Sequence, residues 1–298
     1  MAGFRPHAQP QLHRVRHGVY AQADEWATLA PWGRYLARVH AYALTSSSAV
    51  FALESAAVLH GLPVFGEPSS IHLFDPDRKR SVRYGDVEVH TSRDSREISP
   101  IGRTRLLATS LPETVVDLGR VLSPARGLAV VDASLSARMG HACCLDQLAS
   151  IAAAQCARRG VRVLEWLWAR ASGVAESVGE SVSRAVIEWC GFDEPALQEE
   201  FHFEGETDRP DFFWRHGAMV GESDGYGKYD GDAEKIKSAL IREKTREDRL
   251  RRHLGGFARW DMRDAVRVDP LAQKLLAAGV QVVADPQRAM LATLSRHR

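Results

Sequence analysis

Acidic residues stand at the ends of two strand-like segments in the second half of the chain. Strands are predicted at 211–215 and 218–223, with Asp211 opening the first and Glu222 near the end of the second. A hairpin would bring these two carboxylates side by side. Gathered carboxylates are costly unless a positive group joins them, and a hard cation such as Mg²⁺ prefers oxygen ligands. The spacing therefore predicts a site for Mg²⁺ or Mn²⁺, although two solvated carboxylates at loop ends would be spaced in the same way.

A third candidate carboxylate, Glu180, belongs to a helix predicted at 176–190. It lies at the edge of the apolar arc of this helix. From there it can reach a metal site, or it can form an exposed ion pair with Arg184 one turn later. A metal held by such carboxylates would bind a scissile phosphate and activate water, which is the chemistry of phosphodiester hydrolysis.

A long charged helix is predicted at 235–253. Its period of 3.6 residues places Glu243 and Glu247 on the same stripe as the apolar residues near its two ends. Buried carboxylates need partners. Either the middle of this helix faces a hydrated, charged cleft, or arginines elsewhere in the chain pair with its carboxylates. The remaining alternative is a solvated helix with ion pairs between residues i and i+4.

Basic residues close to these carboxylates are candidates for stabilising the charge that develops during hydrolysis. Lys228 follows Gly225-Tyr226-Gly227, whose glycines allow a tight turn back toward Glu222. Lys244 lies beside the stripe of the long helix, and Arg246 lies on its other flank. The alternative for Lys228 is an ordinary loop lysine.

Composition sets outer limits on the fold and the partners. The 298 residues are enough for two domains, and the net charge of +1 means that any nucleic-acid-binding surface must be local. No apolar run approaches the ~20 residues that span a bilayer, and the first residues lack the apolar region of a signal peptide. The four cysteines form no zinc pattern, so we expect reduced, mostly buried thiols in a cytoplasmic protein that does not bind membranes.

The first half is predicted to be a small α+β domain. Residues 12–21 read as a hairpin around Gly18, in which Arg14 and Arg16 either blunt a sheet edge or contact a DNA backbone. A joint near 157–160 leads to the second half. The other predicted elements are helices at 32–43, 46–60, 111–119, 124–139, 145–157, 161–171 and 269–278, and strands at 70–74, 82–84, 87–90, 197–203, 257–260 and 280–283.

Several short motifs of the second half occur together in the order that one nuclease family shows. They are Gly179-Glu180-Ser181 with Arg184, Pro195-x-x-Gln198, Arg209-x-Asp211-Phe212, Glu222-x-Asp224-Gly225, Lys228-Tyr229 and Arg246-Glu247-Asp248-x-Leu250. Through them, residues 170–265 resemble the very-short-patch-repair-like branch of the PD-(D/E)XK nuclease superfamily. The resemblance implies a restriction-endonuclease-like α/β domain over 158–298, with a mixed central sheet flanked by helices.

The resemblance also implies roles for the carboxylates. In that superfamily the Asp of the first motif and the Glu of the second bind Mg²⁺, which implies Asp211 and Glu222 as ligands. A Glu on the preceding helix often completes the site, and here it would be Glu180. The lysine of the usual Glu-x-Lys arrangement would fall at Asp224, which then becomes an extra ligand or supports the ligands.

The missing lysine leaves the catalytic cation to another residue. Lys228 or Lys244 would take its role, and if neither reaches the site the domain would bind DNA without cutting it. Arg184 and Arg246 belong to the matching motifs and are the DNA contacts expected in this half.

The first half resembles the AbiEi-type antitoxin region that often precedes such nuclease-like domains. The matching residues are Arg16-x-Gly18-Val19-Tyr20, Glu54-Ser-Ala-Ala-x-Leu59-His60-Gly61-Leu62-Pro63 and Thr114-Val-Val-Asp117-Leu118. The resemblance implies that residues 1–22 are the remnant of a winged helix and that 23–157 form the antitoxin-like α+β domain.

Together these features predict an Mg²⁺- or Mn²⁺-dependent DNA endonuclease, acting in phage defence or beside a toxin partner. The alternative is a non-catalytic DNA-binding antitoxin that regulates transcription. A third possibility is a degenerate nuclease fold used for protein contacts, which would bind no metal.

Overall fold

The structure, a computed structural model, describes residues 9–140, 143–225 and 233–295, and it shows a mixed α+β protein. Within the helices, the side chains of 139, 233–236, 239 and 240 are outside this description. The described residues divide into two compact units: 9–120 with 143–164 form the first, and 121–140, 165–225 and 233–295 form the second. The sequence predicts boundaries at 22/23 and 157/158, whereas here residues 121–140 group with the second unit.

The first unit contains a two-stranded hairpin and a six-stranded mixed sheet. In chain order its elements up to residue 121 are β1 (Leu12–Arg16), β2 (Val19–Gln22), α1 (Ala23–Thr28), α2 (Pro31–Thr45), β3 (Val50–Phe51), α3 (Leu53–His60), β4 (Ile71–Phe74), β5 (Val82–Tyr84), β6 (Val87–His90), β7 (Ile98–Pro100), β8 (Leu107–Thr109) and α4 (Leu111–Val121).

The six-stranded sheet runs in the order β5-β6-β4-β3-β8-β7, with β4 and β6 parallel. Alternate residues of β4 and β6 point to opposite faces, and one face joins a core formed with α2 and α3. The members of this core include Tyr35, Val39, Ile71, Leu73, Val87 and Val89.

One helix prediction in the first half is wrong. The helix expected at 46–60 begins only at Leu53, because Val50 and Phe51 form β3. Phe51 pairs with Leu73 on one side and with Ala108 on the other, so sheet pairing overrides local helix propensity here. The hairpin expected at 12–21 is present as β1 and β2.

The rest of the chain adds six more strands and eight more helices among the described residues. They are α5 (Pro124–Leu135), α6 (Leu145–Ala154), α7 (Val161–Trp168), α8 (Val178–Trp189), β9 (Ala196–Leu197), β10 (Phe201–Phe203), β11 (Glu206–Asp208), β12 (Phe212–Trp214), β13 (Met219–Asp224), α9 (Ala233–His253), β14 (Gly256–Asp261), α10 (Met262–Arg267), α11 (Asp269–Ala278) and α12 (Arg288–Leu291).

The second unit is organised around a four-stranded mixed sheet in the order β14-β13-β12-β9, in which only β13 and β14 are parallel. Helix α8 lies on one face, where Ser183 accepts a hydrogen bond from the Trp260 indole at 2.8 Å. Helix α9 lies on the other, where Leu250 packs with Phe213 and Val220. The sheet is thus flanked by a helix on each side.

Two strand predictions in this unit need correction. The strand expected at 197–203 is divided into β9 and β10, which belong to different sheets, because Gln198 adopts a left-handed backbone with φ of 53°. The last strand expected at 280–283 is reduced to an isolated bridge between Phe192 and Val282.

All four cysteines are thiols outside any disulfide, as predicted, but they are less buried than predicted. Cys144 and Cys156 are exposed, and only Cys190 is fully buried. Among the described residues, no helix combines the length and the apolar character needed to cross a bilayer.

Candidate functional site

Strand register places four polar side chains in one row across the second sheet. Phe212 pairs with Leu197 on one side and with Gly221 on the other, so the continuation of both pairings sets Asp211 opposite Gln198 and Glu222. Glu222 in turn pairs with Arg259 of β14. Directly opposed residues share a face. The row Gln198, Asp211, Glu222 and Arg259 therefore faces α9.

Hydrogen bonds hold both carboxylate oxygens of Asp211. Its Oδ2 accepts from the backbone N–H of Ser223 at 2.8 Å, and its Oδ1 accepts from Gln198 Nε2 at 3.3 Å. The same amide nitrogen donates to Glu180 Oε2 at 3.0 Å. Gln198 thus joins two carboxylates, and its left-handed backbone turns its side chain toward both.

The start of α8 explains the place of Glu180. Ser177 caps the helix by accepting from the Glu180 N–H at 3.1 Å. A side chain at Gly179 would come within 2.8 Å of Ser223 Oγ, so the glycine lets the helix start approach β13 closely. The Glu180 carboxylate also accepts from the Glu176 N–H at 2.9 Å and is only 3% exposed. The exposed pair with Arg184 that was the alternative for Glu180 does not form.

Glu222 is bound by an arginine of α9. Arg246 Nη2 donates to Glu222 Oε1 at 2.7 Å and to the Arg209 carbonyl at 3.0 Å. Burial, reinforced by the negative charge of Asp211, raises the pKa of Glu222 to about 7 even though Arg246 acts in the opposite direction. The same two causes raise the pKa of Glu180. For Glu222, burial together with the charge of Asp211 therefore outweighs the effect of Arg246.

The two glutamates in the middle of α9 are half-buried rather than buried as predicted, with side chains 33% and 25% exposed. Glu243 pairs with an arginine of another element, as expected, whereas Glu247 forms an i,i+4 ion pair within the helix, which was the alternative. Glu243 accepts from Arg246 Nη1 at 3.3 Å and also from Arg259 Nη2. Glu247 accepts from Arg251 Nε at 2.8 Å. Arg259, the member of the row that belongs to β14, thus connects the sheet to α9.

Of the three further residues predicted for the site, Asp224 and Lys244 lie within the described part of the chain. Asp224 lies on the same face of β13 as Glu222, two residues on, with its side chain 45% exposed and 3.9 Å from Arg259. Lys244 is exposed on α9, and the residue of that helix that reaches Glu222 is Arg246. Lys228 is outside the described residues.

A buried ion pair beside the site escaped the sequence prediction. Asp208 is 2% exposed and accepts from Arg249 Nε and Nη2 at 2.6 and 2.7 Å, with Arg246 Nε 4.0 Å away. Arg246 and Arg249 are one turn apart on α9. The sequence feature that could have indicated this pair is the one-turn spacing of the two arginines, on a helix whose carboxylates were predicted to be buried.

The predicted DNA contacts of the hairpin differ in their surroundings. Arg14 is exposed on β1 and lies 3.1 Å from a ring nitrogen of His17. Arg16 pairs with Asp86 at 3.0 Å and lies over the ring of Tyr42. DNA binding by these two residues stays a prediction.

Arg184, also predicted to contact DNA, has a structural partner. Its Nη1 donates to Asp132 at 2.9 Å, and its Nη2 donates to the Arg170 carbonyl at 2.6 Å. Asp132 is 1% exposed, and burial raises its pKa to about 6. Arg184 also lines a groove of about 720 Å³ that contains none of the Glu180, Asp211 and Glu222 carboxylates.

Arg184→Met is therefore expected to destabilise the protein by about 2–3 kcal/mol at pH 8, because it leaves the Asp132 carboxylate buried without its guanidinium. Urea unfolding measures the change. The control is Arg288→Met, which removes an exposed arginine. An unfolding free energy equal to the wild type would show that this pair contributes no stability.

Glu222→Gln is expected to stabilise the metal-free protein by roughly 2 kcal/mol at pH 8. The folded pKa of Glu222, about 7, is above its ordinary value of 4.5, so folding binds a proton between these values. The stability of the wild type therefore falls as pH rises from about 4.5 to 7, and a glutamine avoids this loss. Urea unfolding in EDTA at pH 5 and pH 8 measures it, with the exposed Glu165→Gln as control. A variant less stable than the wild type at pH 8 would contradict the expectation.

A scan against protein-family models, a search of curated proteins and a search of solved structures found no match to this chain.

Proposed function

We propose that this protein is a metal-dependent DNA endonuclease whose second unit is a restriction-endonuclease-like domain. The observation that supports it most is the convergence of three carboxylates at one end of the sheet. Gln198 donates to Glu180 and Asp211, and Glu222 is opposite Asp211 in the register of β12 and β13. The four-stranded mixed sheet between α8 and α9 fits the arrangement that the sequence motifs imply.

The donor set fits a hard divalent cation. All three side chains offer carboxylate oxygens, which Mg²⁺ and Mn²⁺ prefer. The hydrogen bonds to Asp211 and Glu180 orient these oxygens, and a carboxylate has about four acceptor positions, so bound donors do not exhaust them. Burial and, secondly, the charge of Asp211 raise the pKa values of Glu180 and Glu222, and a bound cation would offset both effects by favouring the ionised carboxylates. When bound, Mg²⁺ would hold the scissile phosphate and lower the pKa of a water molecule.

The remaining residues position the carboxylates and supply positive charge. Ser223 and Gln198 fix the orientation of Asp211 through its two oxygens. Arg246, which bonds Glu222, places a permanent cation where a phosphate would carry developing negative charge. In this proposal Arg246 stands in for the lysine that Asp224 replaces, and Lys228 stays a candidate for the same role. Asp224 would support the ligands.

A second candidate is a non-catalytic DNA-binding antitoxin. It is favoured by the Arg246–Glu222 pair, because a guanidinium already occupies one oxygen of a would-be ligand. Asp224, which stands where the Glu-x-Lys motif has its lysine, also favours a protein that binds DNA without cutting it. In this case the cluster would be structural, and DNA binding would be independent of metal.

Plasmid cleavage separates the two functions. Supercoiled DNA is incubated with the full chain and Mg²⁺, Mn²⁺ or EDTA, and conversion to nicked and linear forms is measured. The endonuclease cleaves with either metal and not with EDTA. Absence of cleavage together with salt-dependent binding to the DNA upstream of its own coding sequence would favour the antitoxin.

A further inference from the structure

A second group of potential ligands lies in the first unit, on β4 and β6. His72 of β4 is opposite Glu88 of β6 in the parallel register, and His90 follows Glu88 by two residues. These three side chains therefore share one face. It is the face opposite Ile71 and Val89, which belong to the apolar core.

The ligand atoms of this group converge. His72 Nδ1 is 2.9 Å from His90 Nε2 and 4.0 Å from Glu88 Oε2, and one ligand atom from each residue falls within 4.8 Å of the others. Bonds of ~2.0–2.2 Å to a tetrahedral ion separate its ligand atoms by about 3.4 Å. Small side-chain rotations would bring the three atoms to that separation.

Neighbouring carboxylate and hydroxyl groups orient two of these ligands. Glu54 Oε2 lies 3.5 Å from His72 Nε2, which favours a proton on that nitrogen and leaves Nδ1 to bind an ion. Ser70 Oγ donates to Glu88 Oε1 at 2.7 Å and leaves Oε2 toward the histidines. A histidine that ligates through one nitrogen and faces a carboxylate with the other is typical of metal sites.

The charge of the surroundings also favours a cation. His72 is only 2% exposed and lies between the carboxylates of Glu54 and Glu88. The negative charge of these two carboxylates would attract a cation. Arg83 is 3.7 Å from Glu88, but its side chain is 60% exposed, so it offsets little of this charge.

We propose that His72, Glu88 and His90 bind one divalent transition-metal ion such as Zn²⁺. Two imidazoles and one carboxylate suit this class of ion rather than Mg²⁺. The Glu88 side chain is 25% exposed, so the site is reached from solvent on that side. The simplest rival is a hydrogen bond between the two imidazoles, which would need no metal. This site is independent of the proposed nuclease centre.

Zinc binding to the full chain tests the proposal. Protein freed of metal with EDTA and then desalted is titrated with Zn²⁺ against a chromophoric chelator. We expect one equivalent bound, an affinity reduced at least about tenfold in Glu88→Gln and in His90→Gln, and a smaller reduction in Glu54→Gln. His40→Gln, which changes an exposed histidine of α2, should bind zinc as the wild type does. Circular dichroism confirms that each variant is folded.

Three results would overturn the site. The first is binding far below one equivalent. The second is an affinity in folded Glu88→Gln and His90→Gln equal to that of the wild type. The third is loss of binding on replacing the exposed Cys144 and Cys156 by serine, which would assign the ion to the thiols. Zinc should also raise the melting temperature of the wild type but not of His90→Gln.

Discussion

Asp211→Asn is expected to reduce Mg²⁺-dependent DNA cleavage by at least about a thousandfold, which corresponds to about 4 kcal/mol of transition-state stabilisation. The substitution keeps the shape of the side chain and removes the central negative charge of the cluster. Asparagine still accepts the hydrogen bond from the Ser223 N–H, so the hairpin should be retained. Cleavage of supercoiled plasmid under single-turnover conditions measures the loss.

The same substitution should not unfold the protein. A loss of cleavage in the folded variant can then be assigned to the missing metal ligand rather than to unfolding. The charge of Asp211 raises the pKa of both Glu180 and Glu222, so its removal relieves repulsion and should preserve or increase stability at pH 8. The matched control is Asp248→Asn, an exposed aspartate of α9, which should cleave as the wild type does. Equal cleavage by Asp211→Asn and the wild type would exclude a metal held by this residue.

The hairpin that carries Asp211 and Glu222 could be predicted because it depends on local pattern. A short turn separates the apolar run Phe212-Phe213-Trp214 from the apolar start of β13. The strand register, which sets the two acidic residues opposite each other, therefore follows from a few neighbouring residues. The stripe of α9 could be predicted for the same reason, and Leu250 of that stripe is buried.

The partners of these carboxylates could not be predicted, because they come from distant parts of the chain. The link between Glu180 and Asp211 depends on Gln198, which belongs to a motif but whose left-handed backbone no local pattern predicts. Arg259 reaches α9 only because β14 pairs in parallel with β13 in one register. The sequence patterns predicted which elements carry the charged residues, whereas the ion pairs between elements depend on tertiary packing.

The same limit explains the error at 46–60. The composition of that segment is favourable to a helix along its whole length, and its second half is helical. Val50 and Phe51 become a strand because two other strands, β4 and β8, accept them from either side. The gain from burying Phe51 in the core exceeds the small difference in helix propensity.

Arg246→Met is expected to destabilise the metal-free protein by about 3 kcal/mol at pH 8, because it removes the guanidinium that pairs with buried Glu222. Methionine keeps much of the apolar stem and isolates the effect of the charge. At pH 6 the cost should be smaller, since without Arg246 the pKa of Glu222 rises further and the carboxylate is protonated. Urea unfolding in EDTA at both pH values measures the difference, with the exposed Arg242→Met on the same helix as control.

Divalent metal gives this variant a second test. If Glu180, Asp211 and Glu222 bind Mg²⁺, the cation can replace the charge that Arg246 supplied, so Mg²⁺ should stabilise Arg246→Met more than it stabilises the wild type. The variant should nevertheless cleave DNA poorly, because the proposed contact with the phosphate is lost. If Mg²⁺ stabilises neither protein, the cluster binds no ion, and the carboxylates would then serve only to pair with α9.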